Sequence, residues 1–149
     1  MAGIVFKSDT HVLMGYKLHE GIITGIGGKP IGDEGPMRTA FREAVEEIFG
    51  VQPSVWMIDG LVNEYYDRAM LDNKGYKMFI LSFQDLLTFM TIVAGWVGVS
   101  PFYHSFPKTL DDLILTRRAP KNVEIVSLAL LPITTDHFHV DQRDMRIIM

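Results

Sequence analysis

The chain contains no cysteine. That removes disulfide frameworks, thiolate nucleophiles and zinc knuckles at once, and leaves carboxylates, histidines, lysines and hydroxyls to carry any chemistry. Basic charge is also scarce: 14 lysines and arginines stand against 18 acidic residues, for a net charge of -4. No broad positive field results, which argues against tight non-specific binding to a phosphate backbone and leaves small anionic ligands to a metal ion or a local basic pocket. Repeats, low-complexity tracts and Pro/Gly/Ser linkers are missing, so a single domain over residues 1–149 is expected.

Long apolar runs are nearly absent. Leu86 to Pro107 carries no formal charge, and Leu86 to Val99 is strongly apolar, but as a helix those residues reach only about 21 Å. A bilayer core needs about 30 Å. Gly95, Gly98 and Pro101 interrupt the pattern, so the segment reads as a buried or interface helix, with a homodimer through Leu86 to Val99 as the partner it would serve and no membrane span. Met1 to Thr10 meets Lys7 and Asp9 too early for a secretory h-region, and a cytoplasmic location is the expectation.

What is present begins with short strands, Gly3 to Lys7, His11 to Leu18 and Gly21 to Ile26, followed by a glycine-rich turn from Gly25 to Pro30. Pro36 to Phe49 reads as the most regular helix, with proline in its first turn and Gly50 beyond its end. Val55 to Tyr66 and Gly75 to Phe83 read as the arms of a hairpin turning at Asp72 to Gly75. A short helix over Thr109 to Leu115 and a buried strand over Val123 to Leu131 follow, and Thr134 to Met149 reads as an added strand or a docked tail. Strands around one good helix predict an α+β fold with a mixed sheet.

On a helical wheel with Glu43 at zero, Glu46 and Glu47 fall at about 300° and 40°, while Met37, Phe41, Ala44, Val45 and Ile48 fall between about 100° and 200°. Burying the apolar arc turns the acidic one toward a cleft or toward water. Three carboxylates within one turn repel by roughly 3 kcal/mol per pair at about 6 Å and an effective dielectric near 20. A divalent cation removes that penalty, and magnesium, a hard ion that bridges carboxylates to phosphates, suits the donors. Two readings stand at this point: a metal site, or a solvated helix face.

The surrounding spacing extends the pattern. Gly28 is followed after five residues by Glu34, Glu34 after seven by Arg42-Glu43, and Glu43 after two by Glu46-Glu47. This resembles the signature of the Nudix hydrolases over residues 27–51, with one departure: Ile48 and Phe49 both precede Gly50, where the family usually has a single residue. The resemblance implies an α/β/α sandwich and a magnesium-dependent pyrophosphohydrolase, with manganese as a possible substitute. It implies that Glu43, Glu46 and Glu47, with the Gly27 carbonyl, bind the metal and that an Arg42–Glu34 ion pair orients the carboxylates. Gly28 would lie near the phosphates, and Lys29 would lie near them or brace the loop. The proton of the attacking water would pass to Glu46 or to a later carboxylate such as Asp85, Asp111 or Asp112.

Val12 to Lys17 and Thr24 to Lys29 are similar to the MutT-like branch, which cleaves nucleoside triphosphates; Thr24 stands where that branch has a base-reading asparagine. Its single hydroxyl cannot reproduce a bidentate amide contact. The likeness to that branch makes nucleoside triphosphates the favoured substrate, with capped RNA, ADP-ribose or nucleotide sugars and diphosphoinositols as alternatives within the same chemistry, and a non-catalytic nucleotide-binding module as the alternative outside it. Secondary candidates are His137, His139 and Asp141, which share a strand face as metal donors or form an exposed tail. His104 reads as a stacking or packed loop residue, and Trp56, Tyr65, Tyr66 and Trp96 as core residues more than base clamps. Arg117, Arg118 and Lys121 are a phosphate or RNA contact or a solvated turn.

Overall fold

The computed structural model describes residues 1–133. Seven strands and four helices are found among them, in an α+β arrangement of two sheets. Strand β1 (Ala2–Phe6) lies inside a mixed four-stranded sheet, antiparallel to β4 (Ile26–Gly28) on one side and parallel to β6 (Tyr76–Leu81) on the other, with β5 (Met70–Asn73) at the far edge. Strand β2 (His11–Lys17) is the centre of a three-stranded antiparallel sheet between β3 (Ile22–Thr24) and β7 (Ser127–Pro132). The expected strand Gly21 to Ile26 is thus two strands. The chain changes sheets at Gly25, so that Thr24 pairs with Gly15 and Ile26 with Ile4.

Helix α1 (Pro36–Phe49) has the predicted bounds. Gly35 precedes it without a side-chain cap, and Gly50 ends it in the left-handed conformation (φ 66°), its N–H donating to the Glu46 carbonyl at 2.9 Å. The additional residue before Gly50 therefore leaves a regular glycine stop. Phe41, Ala44, Val45 and Ile48 are fully buried, as the apolar arc requires. They meet Ala2, Ile4 and Phe6 of β1 together with helices α2 (Val55–Tyr65) and α3 (Phe83–Val97). Val5, on the opposite face of β1, joins Val12, Met14, Tyr76 and Met78 in a second cluster.

One reading is overturned: Val55 to Tyr66 is not a hairpin arm, and Val55–Tyr65 is helix α2. The Ser54 hydroxyl accepts from the Met57 N–H, and Met57, Ile58, Leu61 and Tyr65 form its buried face. The β-branched and aromatic residues that suggest a strand are only half the pattern; the apolar spacing of three and four outweighs them once a core lies on one side. Met70–Asn73 is the true first arm of the hairpin, which turns through Lys74 (φ 54°) and Gly75 (φ 88°). Its second arm stops at Leu81, because Ser82 and Asp85 form a capping box that starts α3 at Phe83. The short helix α4 is Leu110–Leu115, and the last strand begins at Ser127, later than expected, leaving Val123 to Val126 outside it.

Leu86, Phe89, Met90 and Val93 of α3 turn into the chain's own core, so burial within one chain accounts for most of that segment's apolar character. Trp96 lies half-exposed over Gly60, and Val99 faces outward. Among the described residues no helix is long and apolar enough to cross a membrane. Trp56 and Tyr66, expected in the core, are exposed, whereas Tyr65 is buried and donates to the Asp85 carbonyl at 3.1 Å.

Phe89 sits among Phe6, Phe41 and Phe49, with ring centroids 5.8, 6.2 and 5.8 Å away. Phe89→Ala should lower the unfolding free energy by about 3–5 kcal/mol in urea denaturation. A loss below about 1 kcal/mol would mean that the helices do not share this core.

Candidate functional site

The site is built where α1 crosses the open edge of β4. Gly27 N–H donates to Glu47 Oε1 at 3.0 Å instead of to β1. The alternation of an antiparallel pair then turns the Gly27 carbonyl toward the same open edge. At Gly28 a Cβ atom would stand 2.4 Å from Glu43 Oε1, so glycine is what lets this carboxylate lie against the strand.

Arg42 gathers the rest. Its Nε and Nη2 each donate to Glu34 at 3.0 Å, to different carboxylate oxygens. Its Nη1 reaches Glu43 at 3.1 Å and Glu46 at 3.2 Å, and Nη2 also bonds the Lys29 carbonyl at 2.8 Å. Thr39 Oγ1 donates to Glu34 at 2.7 Å, holding the acid that holds the arginine. The hydrogen bond from Arg42 pulls the Glu34 carboxyl below its ordinary range, against the opposing effect of burial. Glu46 moves the other way: burial raises it, and the Glu43 charge adds to that, outweighing Arg42.

Glu47 is the outlier. The wheel places it in the acidic arc, yet it is buried, only 8% exposed, beneath the segment that leads into β7. Burial pushes its carboxyl well above the usual range, and the charges of Glu124 and Glu43 push it further, offset only in part by the Gly27 N–H.

Glu124 and Lys17 complete the site, and neither was singled out in the sequence. Their side chains pair at 3.0 Å. Burial pulls the Lys17 ammonium down, but the hydrogen bond and charge of Glu124, with Glu20 and Glu47 beyond, hold it raised. Two clefts meet here. The larger, of about 460 Å³, is lined by Lys17, Thr24, Gly27, Gly28, Lys29 and Glu124 among others; the smaller, of about 170 Å³, by Glu43, Glu46, Glu47, Phe102 and Glu124 among others. Glu43 and Glu124 belong to both. Lys17 is hidden in sequence because a strand-end lysine carries no local signal; only the pairing of β2 with β7 brings it to Glu124.

Of the residues predicted from the signature and the stretch leading into it, Thr24, Gly27, Gly28, Lys29 and Glu43 line the larger cleft; Glu46 and Glu47 line the smaller, and Glu34 and Arg42 brace the glutamates from the side. Asp85 is not there. It receives both Nε and Nη2 of Arg68, at 3.1 and 3.0 Å, and caps α3. Asp111 and Asp112 occupy the first turn of α4 and line neither cleft. His104 is exposed in its loop. The basic cluster divides: Arg118 is exposed, while Arg117 turns inward to backbone carbonyls. His137, His139 and Asp141 lie outside the described residues.

The donors are hard oxygens, as magnesium prefers. Five carboxylates, Glu34, Glu43, Glu46, Glu47 and Glu124, face two cations, Arg42 and Lys17, so the cluster carries a formal excess of three negative charges. Among the described residues no group of three acidic or histidine side chains already stands in ligating geometry. Arg42 spans Glu43 and Glu46, and an ion held by them with Glu47 would need Arg42 to keep Glu34 and yield the other two. No protein-family model matches the chain, and no curated protein matches it in sequence.

Glu47 gives a signed expectation. Burial holds its folded-state pKa above the ordinary glutamate value of 4.5, so the stability it contributes is complete below pH 4.5 and is lost as pH rises through the folded value. In a chelating buffer, Glu47→Gln should match wild type in melting temperature below pH 4.5 and exceed it increasingly above. A difference that does not change with pH would show that this carboxylate is solvated.

Proposed function

We propose that the chain is a magnesium-dependent hydrolase of the Nudix kind, in an α/β/α sandwich of that type, cleaving the pyrophosphate linkage of a nucleoside diphosphate-linked substrate, with nucleoside triphosphates favoured. The observation that carries this reading is the gathering of Glu43, Glu46 and Glu47 where the two clefts meet, braced by Arg42 and Glu34 at the signature spacing. A solvated acidic face would not bury Glu47.

Glu43, Glu46 and Glu47, with the Gly27 carbonyl, would hold magnesium. Bound there, the ion supplies neutralisation of phosphate oxygens and a water of lowered pKa. The chain's own groups do the remainder. Lys17 faces the larger cleft and balances phosphate charge, and Thr24, buried on its wall, offers one hydroxyl to the ligand's other end. Glu124 takes the proton of the attacking water in place of Asp85, Asp111 or Asp112, because it lines both clefts. The water oxygen bonds to phosphorus, the bridging P–O bond breaks, and a nucleoside monophosphate leaves with the other phosphorylated fragment.

A non-catalytic binding module is the second reading, favoured by the contacts of Arg42 with Glu43 and Glu46, which occupy two of the acids. A dimer through Leu86 to Val99 would rest on the outward Trp96 and Val99.

The test is incubation with magnesium and a panel of nucleoside triphosphates, capped RNA, nucleotide sugars and diphosphoinositols, with products identified by mass. Wild type should release a nucleoside monophosphate, and Glu46→Gln or Glu124→Gln should slow turnover about 10²–10⁴-fold with the melting temperature little changed. Thermal stabilisation by nucleotides without any product would favour the binding module. Full activity in Glu46→Gln would remove the metal assignment.

A further inference from the structure

An α-helix leaves its last four carbonyls without partners inside the helix. In α1 all four are satisfied, by three different parts of the chain. Gly50 N–H takes Glu46, the Ser100 hydroxyl takes Phe49, and the Arg117 guanidinium takes both Glu47, at 2.7 Å from Nη2, and Ile48, from Nη1. No basic residue of α1 lies in its own last turn, so Arg117 is the cation at the negative end of the helix.

The same guanidinium reaches outward. Nη2 also donates to the Ile125 carbonyl at 2.8 Å, and the planar head stacks on the Phe102 ring at 4.9 Å. Phe102 in turn fills the space beside Gly50, where a Cβ would lie 2.7 Å from the ring. Ile125 is buried against Gly15, and Val126 N–H bonds the Tyr16 carbonyl at 3.0 Å. Glu124 is the residue immediately before this anchor. Its own side chain is 56% exposed and is held at its tip by Lys17.

We propose that Arg117 is a positioning residue: by tying the Glu47 and Ile48 carbonyls to that of Ile125, it fixes Glu124 against the glutamates of α1. The kinetic part of this inference rests on the hydrolase reading; the structural part does not. Lysine cannot replace it, because one ammonium on a flexible stem lacks the rigid fork that spans three carbonyls. Removing Arg117 leaves the Gly50 and Ser100 caps in place, so α1 stays helical while the segment ahead of β7 loses its register to it.

Two measurements test this on Arg117→Lys and Arg117→Gln, with Arg118→Gln as the control for charge. By hydrogen exchange, the amides of Val123 to Val126 should lose protection while those of Val45 to Phe49 keep theirs. Unchanged exchange at Val123 to Val126, or equal loosening of α1, would overturn the proposal and leave Arg117 as a helix cap only. By kinetics, Arg117→Lys should lower kcat about 10–100-fold with KM near wild type. Adding Arg117→Lys to Glu124→Gln should cost little more, since both act through one carboxylate. Additive losses would overturn the positioning role. If wild type cleaves nothing in the panel, the hydrolase reading fails alone, and the exchange data still decide whether Arg117 holds the segment. Should Arg117→Gln not fold, Arg117→Lys carries both measurements.

Discussion

Arg42 is shared by three carboxylates, and its contacts tie the site together. Glu34, Glu43 and Glu46 each accept from its guanidinium, and the Lys29 carbonyl fixes its remaining edge. Five planar donors make this possible where an ammonium could not bridge so many acceptors at once. The arginine sits beside Glu43 in sequence, yet its principal partner, Glu34, comes from the loop before the helix. The loop, the β4 edge and α1 are thereby joined through a single charged group, and the acids are kept close despite their mutual repulsion.

That repulsion is only partly relieved. Glu47 is buried next to Glu43 and Glu124, and its carboxylate accepts from the backbone N–H of Gly27. A buried acid with a raised pKa is a recurrent mark of sites that handle protons or cations, although structural networks produce it too. Here it coincides with a strand edge whose carbonyl turns the same way and with two clefts that share Glu43 and Glu124. The opposite side of α1 has no such tension: Phe41, Ala44, Val45 and Ile48 lie in an aromatic-rich core that anchors the helix.

The fold as far as Gly50 could largely be read from sequence because its signals are local. Pro36 and Gly50 bracket α1 and a strict apolar arc fills it, so bounds and faces both follow. Gly28, Glu34, Arg42 and the three helix glutamates were legible from spacing, since a loop running into a helix sets their geometry directly. Val55 to Tyr65 misled because β-branched and aromatic residues mask a helical spacing whose cap, Ser54, follows a proline. Lys17 and Glu124 were not legible at all: they meet through the β2–β7 pairing, a contact across more than a hundred residues that no local pattern encodes.

The switch of sheets at Gly25 places Thr24 in one sheet and Gly27 in the other, only three residues apart along extended chain. Such a stretch spans at most about 10 Å. The step thus sets a ceiling: whatever touches the threonine at one end and the glycine edge at the other meets two points no farther apart than that.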